Sequence, residues 1–341
     1  MWQLLCLFFS IVAASDCVNK FPYELDVGMY WAIAQSSGEI EWEKSCANRI
    51  SSGFDKTKKS AWFVHGLQPG MVETHEQMFS TGELDNITLP WLQLGFNVGK
   101  FIWTQYADEK LEDFVLAEDK IHSTQGFRKM QYRVVIKSKG QEHIKLIGGH
   151  TDKTVTDMFV DEWNRHYSED VDYPEARIIG HSLGTQVTMS AALKLHTLTI
   201  THKKPERLAL LDPVMSPRPK FYFSRSECGR TVSENMACAM RQLVSKHGVA
   251  VEYYKSSFIN RCIFSSREQT DLTLYSAVTT VDIKTWGDHP LGSCWDKKML
   301  HHTKDITSYI STLSHQINMQ HIHIVPYYMM SLFVPPHICI R

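Results

Sequence analysis

Short, nearly unbroken apolar runs recur along the chain, each closed by a turn-forming group. Ala61 to Val64 ends at His65-Gly66, Phe96 to Trp103 is a second run, and Ala176 to Ile179 leads into Gly180-His181-Ser182. Leu208 to Leu211 ends at Asp212-Pro213, and Val249 to Tyr254 and Ala277 to Ile283 have the same character. Runs this short and continuous predict strands buried on both faces. Helical spacing lies between them: Val155, Met158, Phe159 and Trp163 share one face, Thr185 to Leu195 is rich in helix formers, and Ala237 to Val244 continues the pattern. Strand–helix alternation predicts an α/β fold, a mostly parallel central sheet covered by helices on both faces. Tyr106 to Gly149 and Pro217 to Lys246 are charged, ambiguous stretches and read as excursions from the sheet. No repeat, low-complexity tract or Pro/Gly/Ser-rich linker divides residues 16–341, which read as one domain.

The first residues follow a different logic. Leu4 to Ala14 is apolar and is followed by small residues up to Ser15, so 1–15 reads as a signal peptide. The run is shorter than the ~20 residues of a membrane span, and no later stretch is longer, so no transmembrane segment is expected. The expectation is a secreted protein in an oxidising compartment. Removing Cys6 leaves Cys17, Cys46, Cys228, Cys238, Cys262, Cys294 and Cys339, an odd set in which disulfides are the default. Proximity suggests Cys17–Cys46, Cys228–Cys238 and Cys262–Cys294. None has the paired short spacing of a zinc site, and no metal or other cofactor is expected. Asn86-Ile87-Thr88 is a glycosylation sequon. A net charge of -1 removes the global argument for a nucleic-acid partner.

Chemistry concentrates at Gly180-His181-Ser182-Leu183-Gly184. An apolar strand before it and a helix after it are the context of a nucleophile elbow. The turn strains the serine backbone, and glycine two residues to either side removes the collisions a side chain would make. The helix start aims N–H groups and the positive end of its dipole at Ser182. An oxyanion hole needs two such donors. Leu183, after the nucleophile, and Leu67, in the loop after the first apolar run, are the candidates. His65 then supports that loop rather than carrying protons.

A serine nucleophile needs a base and an orienting carboxylate, in chain order Ser, Asp, His for this kind of fold. Asp212 ends the next apolar run, on the same sheet edge as Ser182; Asp282 ends a later one and is the alternative acid. His301, His302, His315, His321 and His323 all lie downstream, and spacing alone does not choose among them.

At these blocks the chain resembles a known family. Ala61 to Leu67, Asn97 to Trp103, Ala176 to Gly184 and Leu210 to Pro213 are similar to the animal lipase family of pancreatic lipase, secreted phospholipases A1 and insect yolk proteins, within the α/β-hydrolase superfamily. His321, Tyr327, Tyr328 and Ser331 match the spacing of the segment that carries the family's catalytic histidine. The resemblance implies His321 as general base, with His323 second, and supports Asp212, Leu67 and Leu183 in their roles. It departs at Met319, where the family usually has a cysteine that closes the lid loop, so the lid does not transfer. Only about ten residues follow Ser331, so the family's C-terminal β-sandwich is not expected.

The expectation is a serine carboxylester hydrolase acting on lipid esters, as a triacylglycerol lipase or phospholipase A1, with transient contact to a lipid interface. The alternative is an inactive lipid-binding or yolk-type storage protein on the same fold. A third reading makes His321-x-His323 a metal site, but two histidines without a clear third ligand fall short of one.

Overall fold

A computed structural model describes residues 20–75, 82–110, 113–148, 151–216, 218–255 and 278–282. In chain order the elements are β1 (Gly28–Ala34), β2 (Ile40–Lys44), β3 (Ser60–Val64), α1 (Met71–Thr74), α2 (Gly82–Gln93), β4 (Asn97–Ile102), α3 (Thr104–Ala107) and α4 (Phe114–His122). There follow β5 (Gln131–Ser138), β6 (Gln141–Gly148), α5 (Val155–His166), β7 (Ala176–His181), α6 (Gly184–Thr197), β8 (Arg207–Leu211), α7 (Val232–His247), β9 (Ala250–Lys255) and β10 (Val278–Asp282). Each apolar run of the sequence is a strand, with bounds that differ by a residue or two.

Eight strands form one sheet in the order β10-β9-β8-β7-β3-β4-β1-β2. The pairs from β10 through β4 are all parallel, and β1 runs antiparallel to both β2 and β4. Side chains alternate across the sheet, as the pleat requires. Trp62, Val64, Ile178, Leu208 and Leu210 enter the larger core, where Trp163, Val187 and Met240 of α5, α6 and α7 meet them. Ala61, Ile179, Ala209 and Leu211 face the other way, toward Trp91 of α2. Helices therefore cover both faces, and this is the α/β-hydrolase architecture. Burying a side chain such as Leu208 or Trp62 contributes ~1.5–3 kcal/mol each.

The chain starts the parallel part at β3, adds β4 on one side, then returns to add β7, β8, β9 and β10 on the other. The reversal leaves a crevice at the carboxyl ends of β3 and β7, the place where ligands bind in open α/β sheets.

Two ambiguous stretches resolve. Tyr106 to Gly149 holds the end of α3, then α4 and the β5–β6 hairpin, a separate two-stranded sheet. In the second, α7 starts at a capping box of Thr231 and Glu234 and ends at Gly248 in the left-handed region. Cys228 and Cys238 form a disulfide that ties the preceding loop to α7. The other two suggested pairs involve Cys17, Cys262 and Cys294, outside the described residues. The sequon lies within α2, where Thr88 is buried. Among the described residues no helix is long and apolar enough to cross a membrane.

Candidate active site

β7 ends at His181 and α6 begins at Gly184, so the chain turns from strand to helix within Ser182 and Leu183. Ser182 has φ +52°, a left-handed backbone that costs a non-glycine residue ~1–2 kcal/mol. The conformation is held from both sides. The Ser182 N–H donates to the Leu211 carbonyl at 2.9 Å, and its own carbonyl accepts from the Thr185 N–H at 3.1 Å and the Thr185 hydroxyl at 2.6 Å. A Cβ on Gly180 would stand 2.5 Å from Thr188 Oγ1 and 2.7 Å from the Gly184 carbonyl, so the turn closes only over glycine.

The loop after β3 lies directly against this elbow. A Cβ on Gly66 would fall 2.6 Å from Ser182 Cβ and 2.9 Å from the His181 carbonyl. Leu67, the next residue, and Leu183, the N-cap of α6, flank the serine. No side chain caps α6. Among the described residues neither the Leu67 nor the Leu183 N–H has an acceptor. Two open donors beside a strained serine on a helix N-terminus form an anion-receptive corner.

His65 holds the loop of that corner through both ring nitrogens. It is 1% exposed. Its Nδ1 lies 2.8 Å from the Gly66 carbonyl, and its Nε2 accepts the Trp103 N–H at 3.0 Å. A carbonyl only accepts, so Nδ1 carries the hydrogen and the ring is neutral. Burial holds its pKa down to about 4, with the Lys100 charge adding to the effect against the Gly66 bond. In a trans peptide the carbonyl and the next N–H point in opposite directions. Fixing the Gly66 carbonyl therefore fixes the Leu67 N–H. Trp103 reinforces the arrangement by donating from Nε1 to the His65 carbonyl at 2.8 Å and stacking on the ring. Further along, the Gln68 N–H donates to the Ala107 carbonyl, and Asp108 accepts from the Gly70 and Val72 N–H groups. Trp103 and Asp108 are bracing residues that sequence reasoning missed. The Trp at the end of the second apolar run was visible, but its pairing with His65 was not.

Asp212 is 4% exposed and directly follows β8. Leu211 pairs with His181, so the Asp212 backbone stands one strand spacing, ~4.8 Å, from that of Ser182. It too has a left-handed backbone, φ +44°. Burial, and then the Asp212 charge, push the phenol of Tyr253 on β9 upward. Asp282 ends β10, three strands from β7 and thus ~14 Å away by strand spacing, too far to share a site with Ser182 without an intermediary. His301, His302, His315, His321 and His323 lie outside the described residues. Among the described residues no group of three His, Cys, Asp or Glu side chains is placed to hold a metal. A cavity of about 360 Å³ lined by Tyr173, His196, His202 and His247 opens at the opposite, amino-terminal edge of the sheet, away from Ser182.

No family model matches the sequence, and no curated protein matches it. Among solved structures the chain is similar to a lipase/esterase from Lactobacillus plantarum, at 11% identity over 87% of this chain and 99% of that one, with a TM-score of 0.39. It is also similar to a monoacylglycerol lipase from Paleococcus ferrophilus, at 11% identity over 84% and 99% of the two chains, with a TM-score of 0.37. A putative dienelactone hydrolase from Klebsiella pneumoniae stands at 9% identity over 85% and 97%, with a TM-score of 0.38. Likeness of this degree assigns neither substrate nor mechanism to this chain; its architecture rests on its own strand order, and its chemistry on the corner built around Ser182.

Proposed function

We propose that the protein is a secreted serine carboxylester hydrolase that acts on lipid esters. The observation that carries the reading is Ser182 itself: a left-handed serine at a strand-to-helix elbow, beside two backbone N–H groups with no acceptor among the described residues. In this reaction Ser182 Oγ attacks the ester carbonyl while His321 takes its proton. The N–H groups of Leu67 and Leu183 hold the tetrahedral oxyanion. The proton passes from His321 to the departing alcohol, and Asp212 keeps the imidazole oriented and stabilises its charged form. Water, activated by the same histidine, then releases the acyl group.

His321 enters on the sequence resemblance, and Asp212 on its place beside Ser182. The lipid class of the substrate and the secreted location rest on the resemblance and on the N-terminal apolar run. Phe127 and Phe221, 87% and 59% exposed, lie on the loops after α4 and β8 and provide apolar surface for transient contact with a lipid interface. Purified chain assayed on soluble esters, triacylglycerols and phospholipids tests the proposal. Hydrolysis by the wild type and its loss in Ser182→Ala are expected. Equal activity of the two proteins overturns the mechanism, and inactivity of both on every ester favours the storage-protein alternative.

A further inference from the structure

The loop that follows Asp212 is bolted to the helix that follows Ser182. Gln186, fully buried in the first turn of α6, donates from Nε2 to the Val214 carbonyl at 2.6 Å and to Glu118 Oε1 at 2.9 Å. Its Oε1 lies 2.8 Å from His122 Nε2. Burial lowers the His122 pKa, so a neutral imidazole donates here and sets the orientation of the amide. Glu118 of α4 is also fully buried. It accepts the Ser216 N–H at 2.8 Å, and its second oxygen lies 2.9 Å from Lys220 Nζ. A carboxylate this deep is costly to bury unless it is paired; here Oε1 accepts two N–H groups and Oε2 faces the Lys220 ammonium as an ion pair.

We propose that Gln186 and Glu118 are positioning residues that hold the Asp212 carboxylate in place relative to Ser182; the inference rests on the hydrolase reading above. Upstream of Asp212, the Leu211 carbonyl is anchored by the Ser182 N–H. Downstream, Val214 and Ser216 are anchored by Gln186 and Glu118. Asp212 and Pro213 lie between these anchors, and the proline ring fixes its own φ. Asp212 holds a φ of +44°, a backbone that costs an L-residue ~1–2 kcal/mol. Releasing the downstream anchor loosens the loop on that side and shifts the Asp212 carboxylate relative to the base. The nucleophile helix and the acid loop thus keep their relative geometry through the Ser182–Leu211 bond on one side and the buried Gln186 amide and Glu118 carboxylate on the other.

The test follows the acylation of Ser182 by a soluble fluorophosphonate across pH, beside steady-state hydrolysis of a soluble p-nitrophenyl ester. Gln186→Met keeps the side-chain length but removes all three bonds; Glu118→Gln keeps an acceptor for Ser216 and Gln186 but removes the charge and sets an amide N–H donor against the Lys220 ammonium. Misplacement of a catalytic group by about 1 Å costs roughly 100-fold, so Gln186→Met is expected to label about 100-fold more slowly. Its kcat falls in parallel with KM nearly unchanged. Its pH midpoint moves down, because a displaced carboxylate no longer favours the imidazolium; a purely structural role would leave that midpoint in place. Glu118→Gln changes in the same directions by less, and it carries the test if circular dichroism shows that Gln186→Met does not fold. Folded variants with the wild-type labelling rate and pH midpoint overturn the inference alone. A wild type that takes no label at Ser182 overturns the hydrolase reading and this inference with it.

Discussion

Replacing His65 by leucine isolates the part that one neutral imidazole plays in organising the oxyanion corner. The substitution strips the Gly66 carbonyl of its donor at 2.8 Å and the Trp103 N–H of its acceptor at 3.0 Å, both inside a site that is 1% exposed. Each buried polar group left unmet costs ~1–3 kcal/mol, so folding stability falls by roughly 2–6 kcal/mol. Folded domains have ~5–15 kcal/mol in hand, so much of the variant remains folded at low temperature. The catalytic effect is separate. With the Gly66 carbonyl released, the peptide that carries the Leu67 N–H is free to rotate, and an oxyanion donor is lost. That loss is worth about 2.7–4 kcal/mol, or 10²–10³ in kcat. It falls on kcat rather than KM because the oxyanion exists only in the transition state. Urea unfolding gives the first quantity, and steady-state hydrolysis of a soluble ester by the folded fraction gives the second. His65 titrates only near 4, so its replacement leaves the pH profile above ~6 unchanged in shape. A folded His65→Leu protein with kcat within about twofold of wild type refutes the argument that this ring fixes the donor.

Two further outcomes follow from the same chemistry. Burial depresses the folded-state pKa of His65 to about 4 and of His166 to about 3, from 6.5 in the open chain. Below pH ~6.5 the unfolded state takes up protons that the folded state refuses, so stability is full above that pH and falls as pH drops toward 4. Each imidazole loses ~2 kcal/mol between pH 6.5 and 5; the urea midpoint at pH 5 is expected well below that at pH 7, and an unchanged or higher midpoint contradicts the assignment. For the base, His321→Ala is expected to abolish ester turnover and His323→Ala to spare it, measured on the same soluble ester; the reverse pattern transfers the role to His323.

What could be read from the chain alone, and what could not, divides by the range of the interaction. The elbow was legible because its constraints are local: glycines two residues either side of Ser182, an apolar strand before and a helix after. The position of Asp212 beside Ser182 was legible for the same reason, since it directly follows the next buried strand. The β5–β6 hairpin was not, because β6 is exposed along most of its length, and the turn signal is confined to Lys139 and Gly140, both at positive φ. β1 and β2 were missed as well; β2, Ile-Glu-Trp-Glu-Lys, alternates in the manner of an edge strand rather than running continuously apolar. The start of α7 at Thr231 carried a capping-box signature that its apolar spacing, beginning at Ala237, did not mark. The bracing of His65 by Trp103 and of the Asp212 loop by Gln186 and Glu118 joins residues between 28 and 98 positions apart. No periodicity in the sequence records such pairings.

The central claim is that Ser182 is a nucleophile, and covalent trapping tests it without knowledge of the substrate. The full chain is incubated with a fluorophosphonate, digested, and the modified peptide identified by mass spectrometry, with Ser182→Ala as control. The account predicts a single adduct on Ser182, absent from the variant. An unmodified Ser182 in folded wild-type protein, or equal labelling of the variant at another residue, contradicts it.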